Sequence, residues 1–84
     1  MAQGFAQNFK IKTSVVVFLK NSSTPIILYF DDPYKEYNEL MELCKTQSPV
    51  AKLIEKETAG PIKKIAFLSN QIVGVAIQEE QILK

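Results

Sequence analysis

The sequence predicts an α+β fold, a single helix packed on one face of a mainly antiparallel sheet, in the order ββαβββ with ββααββ as the alternative. Three stretches carry that expectation. Phe9 to Leu19 alternates strictly, Asp32 to Gln47 is a capped and amphipathic run, and two β-rich runs follow around Ser69, Asn70 and Gln71.

In the first stretch Phe9, Ile11, Thr13, Val15, Val17 and Leu19 fall on one face, and Lys10, Lys12, Ser14, Val16, Phe18 and Lys20 on the other. A period of two through consecutive valines is a strand pattern. Asn21 to Thr24 is small, polar and turn-forming, and Pro25 opens a second strand, Ile26 to Phe30, to complete a hairpin.

Asp32 is placed to accept from the free amides of a first helical turn, and Pro33 suits a position whose N–H has no partner. Glu36 adds negative charge at the positive end of the helix dipole. Tyr37, Leu40, Met41 and Cys44 line one stripe, flanked by Tyr34 and Leu43, with Lys35, Glu39, Glu42 and Lys45 opposite. Pro49 turns Ser48 away from helical geometry and ends the helix near Gln47. Val50 to Thr58 fits a short helix or a strand. Strand is preferred, because with Ile62 to Leu68 and Ile72 to Gln78 it forms a three-stranded meander that hides one more edge. Gly60 before Pro61 reads as a turn, Gly74 as a bulge or close approach, and Glu79 to Lys84 as a polar tail.

An 84-residue chain is expected to form one domain, 1–84, with 1–8 and 80–84 as flexible tails. Its apolar fraction of 46% against 23% charged is that of a folded soluble protein. Met1 to Asn8 lacks the basic start and apolar core of a signal peptide, so a cytoplasmic location is expected, with no membrane partner. Ten cations against nine anions leave +1, too little for a global field toward nucleic acid or acidic surfaces. All ten are Lys, so the planar fork that grips phosphate or guanine is missing. With no His and one Cys, the chain has neither a zinc or iron–sulfur ligand set nor an internal disulfide. No cofactor is expected.

The carboxylates Asp31, Asp32, Glu36, Glu39 and Glu42 are a possible hard-cation set, but capping and solvation explain them better. Cys44 lies far from a positive helix end and has no base, which makes it a core residue rather than a nucleophile. Tyr29, Tyr34 and Tyr37 read as packing residues with polar tips. Lys63 and Lys64 point to opposite faces of a strand, whereas Lys10 and Lys12 share one and form a small basic patch if the first strand neighbours a later lysine.

The informative feature is the second sheet face. One helix covers Val15, Val17 and Leu19 with Ile65, Phe67, Val73, Val75 and Ile77, yet the other face also carries Val16, Phe18, Ile27, Tyr29, Ala66, Leu68 and Ala76. Either Phe5 or the Ile82–Leu83 end roofs that face, or another protein does. The expected function is accordingly a non-enzymatic protein–protein interaction module. A homodimer joined through Val16, Phe18, Ile27, Tyr29 and Leu68, or through an edge strand, is its simplest form. A weak nucleic-acid binder using strand lysines is the rival; no small-molecule substrate or catalytic set is evident.

Overall fold

A computed structural model describes residues 9–46 and 49–83. It contains strand β1 (Phe9–Leu19), strand β2 (Ile26–Leu28), helix α1 (Pro33–Lys45), and strands β3 (Leu53–Glu57), β4 (Lys64–Leu68) and β5 (Ile72–Leu83). A single 3-10 turn, Ser69–Gln71, links the last two strands. The predicted order ββαβββ and the α+β class are both present. The expected lead-in over residues 1–8, with Phe5 as a possible roof, lies outside the described residues, as does Lys84.

The sheet topology differs from the predicted meander. β5 pairs with β1, giving a three-stranded antiparallel sheet β2-β1-β5, and β3-β4 forms a separate antiparallel hairpin. The physical reason is length. β1 offers a ladder running from Phe9 opposite Leu83 to Leu19 opposite Ile72, more than twice what the five residues of β4 provide. The same ladder corrects the expected polar tail: Glu79 to Leu83 is paired strand. It therefore does not fold back over the sheet.

The sheet's inner face is sealed by two elements side by side. From β1 and β2 come Val15, Val17 and Leu28, all essentially inaccessible; from α1 comes Leu40, and from the β3-β4 hairpin Phe67. Tyr37, Leu43 and Cys44 of the helix stripe pack against this cluster, as do Ile54 and Ile65 of the hairpin. The helix rests mainly on β5 and secondarily on β1. Ile65 and Phe67 thus reach the core as predicted, but from the second layer rather than from the sheet. Val73 does not reach it. Phe18 pairs with Gly74 and Leu19 with Ile72, so Val73 is a bulged residue turned outward, 56% exposed, and Ile72 takes the buried position instead.

Local chemistry fixes the ends. The Asp32 carboxylate accepts from the Lys35 amide at 3.3 Å, and the Asp32 carbonyl from the Glu36 amide at 3.2 Å. Thr46 closes the other end, its amide donating to the Glu42 carbonyl at 3.0 Å and its hydroxyl to the same oxygen at 2.8 Å. The β1–β2 turn places Asn21 at φ 61°, a left-handed conformation that Asn tolerates.

Beyond Ser14 toward its N-terminus, β1 has no β2 residue beside it, since β2 pairs only with Val15 to Val17. Among the described residues, 9–13 and 79–83 therefore leave the body as a two-stranded ribbon. The described residues span 55 × 24 × 23 Å, with a radius of gyration of 15.3 Å. A compact chain of this length has about 12 Å.

Candidate association surface

The outer face of the β2-β1-β5 sheet is built by alternation. Val16 stands between Ile27 of β2 and Ala76 of β5, and Phe18 lies opposite Gly74. Val16, in the central strand with a paired neighbour on each side, is 7% exposed, whereas Phe18 and Ile27 are 40% and 47% exposed. A Cβ on Gly74 would stand 3.5 Å from Phe18 Cδ2, so the aromatic ring leans over the glycine backbone toward the outer side of β5. Tyr29, just beyond β2, is half-buried: the Lys12 ammonium lies 4.5 Å from its ring centroid. Behind the same ring passes the turn after β3, where the Ala59 amide donates to the Tyr29 carbonyl at 2.7 Å. Gly60 there has φ 84°, and a Cβ would meet Tyr29 Cδ2 at 2.9 Å, so only glycine fits.

Four of the five predicted contact residues, Val16, Phe18, Ile27 and Tyr29, therefore share one face. Leu68 does not. It is 45% exposed, but on the outward side of the β3-β4 hairpin opposite Leu53, with Ala66 on the same side. The assignment of Leu68 to the common patch is corrected by the topology: β4 is not a strand of the sheet that carries Phe18.

A polar cluster between α1 and β3 was not foreseen. The Lys56 ammonium lies 2.8 Å from Glu36 Oε1 and 2.5 Å from Glu39 Oε1, with the Lys56 and Glu36 side chains each mostly buried. Glu36 Oε1 is fully enclosed, and the Lys56 ammonium is the counter-charge beside it. Hydrogen bonding to Lys56, reinforced by its charge, holds the Glu39 carboxyl below its ordinary range. Burial alone would lower Lys56, but the two carboxylates outweigh it and leave the ammonium raised. The signal was present in the sequence. Glu36 and Glu39 are spaced to share a helix face, and Lys56 follows Ile54 on the inward side of β3. Only the packing of the hairpin against the helix joins them.

At the helix start the Tyr34 hydroxyl donates to Glu79 Oε2, which ties α1 to β5 where the ribbon leaves the body. That hydrogen bond, with slight burial and the Glu79 charge, raises the phenol above its usual value. Cys44 borders a shallow hollow with Lys20, Ile72 and Val73, and burial raises its thiol, which disfavours the reactive thiolate. Among the described residues no group of three or more His, Cys, Asp or Glu is arranged to hold a metal ion. No described helix is long and apolar enough to cross a membrane.

The strand lysines are not gathered. Lys10 and Lys12 sit on the ribbon, opposite Ile82 and Glu80, while Lys64 faces Glu57 in the other sheet. The chain matches no family model, and no curated protein or solved structure is found to be similar to it.

Proposed function

We propose that this chain is a non-enzymatic interaction module that self-associates through its β2-β1-β5 sheet, by the outer face around Phe18 or by an open edge. The observation that carries the reading is the pair of large apolar side chains, Phe18 and Ile27, standing out of an otherwise close-packed apolar face. No strand or helix among the described residues lies over them. A second copy is the simplest cover, because a contact repeated about a two-fold axis needs no other gene product. The lysine-based nucleic-acid reading gains nothing from the separated positions of Lys10, Lys12 and Lys64.

Light scattering at micromolar concentration is expected to give twice the 9.5 kDa chain mass. If the outer face is the contact, the double variant Phe18→Ser, Ile27→Ser shifts that mass toward the monomer; if an edge is the contact, the dimer survives it, and Leu68→Ser, on the other sheet, leaves the mass unchanged in either case. A strict monomer for the unmodified chain overturns the reading.

A further inference from the structure

Building on that self-association, we infer that the contact is made by the outer edge of β5, pairing antiparallel with the β5 edge of a second copy about a two-fold axis at Ala76.

The three stretches of unpaired strand in the β2-β1-β5 sheet are guarded very differently. β2 is three residues long, follows Pro25, and is touched by Ala59 next to its end. The free side of β1 belongs to the ribbon, where Lys10 and Lys12 discourage another strand. β5 stands at the sheet's other edge for twelve residues, and Gly74 to Gln78 contains no charge and no proline. Short edges, edge lysines and prolines are the devices by which soluble proteins prevent strand addition. Among the described strands of this sheet, only this part of β5 lacks them; the bulge at Val73 bounds it on one side and Glu79 on the other.

Burial agrees. Val15 and Val17 are sealed in mid-sheet, whereas Val75 and Ile77, their partners on the same inner face, remain half-buried along β5. The core is open on that flank.

A two-fold at Ala76 places Val75 opposite Ile77 of the second copy, so each copy's half-open inner face is continued by the other's. Gly74 then faces Gln78, and Glu79 and Glu80 face Val73 and Ile72, so no like charges stand opposite one another. At about 4.8 Å between strands, Glu80 also comes within two strands, about 10 Å, of Lys20 of the second copy, because Lys20 is bonded to Gln71 at the head of β5. The acidic end of one β5 thus runs beside the basic end of the other sheet. Phe18, leaning over Gly74, extends the contact on the outer face toward Gln78 of the second copy.

The test uses one position. Ala76 lies on the outer face and is half-buried, so a Lys there can carry its ammonium out to solvent in the free chain, while in the dimer Ala76→Lys places two ammonium groups at the axis. It is expected to convert the dimer to monomer by sedimentation velocity, with an unchanged circular dichroism spectrum. Ala76→Cys places two thiols together at the axis and is expected to give a covalent dimer under mild oxidation. The unmodified chain, whose one cysteine is Cys44, is the blank and Ile27→Cys the control, both expected to stay uncrosslinked. If the unmodified chain is monomeric, the self-association reading itself fails. If it is a dimer that survives Ala76→Lys, yields no Ala76→Cys crosslink and is dissolved by Phe18→Ser with Ile27→Ser, the reading stands and the β5 edge is overturned as its site.

Discussion

Strand β1 runs through two different environments. From Ser14 to Val17 it is buried on both faces, flanked by β2 and β5 and roofed on one side by the helix and hairpin. From Lys10 to Lys12 it is exposed on both faces, with Ile11 59% accessible, although the alternation continues unbroken and the β5 ladder persists. The lesson is that a strand pattern guarantees pairing but not burial. A third strand and a second layer are needed as well, and two strands alone are at best marginal in water.

The largest test of this contrast is Leu40→Ala, which removes the helix side chain that closes the covered half of the sheet. Leu40 is fully buried, and a loss of about 2–5 kcal/mol is expected in urea unfolding. A change under about 1 kcal/mol would mean the two layers are not one core.

Next comes Lys56→Met, which leaves Glu36 enclosed without its counter-charge and is expected to cost about 1–3 kcal/mol. Its pH dependence has two arms. The lowered Glu39 carboxyl contributes stability above its ordinary value of 4.5, lost as pH falls through the folded-state value. The raised Lys56 ammonium contributes stability below its ordinary 10.5, lost as pH rises through its folded-state value. A melting temperature followed from acid to alkaline pH is expected to fall at both ends, and Lys56→Met to flatten both arms. Arms that persist in the variant would locate the titrating groups elsewhere.

The smallest effect is expected at Ile11→Thr on the ribbon, within about 0.5 kcal/mol, since the side chain is already in water. A loss as large as that of Leu40→Ala would show that the ribbon is covered in solution and extend the contact beyond the β5 edge.

Much of this architecture was readable from residues alone. β1 begins and ends where its alternation does, and α1 starts behind Asp32 at Pro33 and presents Tyr37, Leu40 and Cys44 inward as its spacing requires. The strand choice for Val50 to Thr58 is realised in β3. Val16, Phe18, Ile27 and Tyr29 share a face because alternation and hairpin register are local properties. The errors have separate origins. Assigning β5 to β4 made Leu68 a neighbour of Phe18, an unbroken alternation across the later bulge made Val73 a core residue, and polar composition made a tail of Glu79 to Leu83, which the β1 ladder holds as strand.

Backbone periodicity, capping and turn chemistry act over a few residues, so the amino-acid order alone determined the elements, their inward faces and the poverty of catalytic groups. Which strand lies beside which is decided by competition between ladders across the whole chain. The length of the β1–β5 ladder settled it, with the β3-β4 hairpin left to pack beside the helix as a second layer. That choice, made in three dimensions, leaves an unguarded edge between Gly74 and Gln78 and a half-closed core beside it.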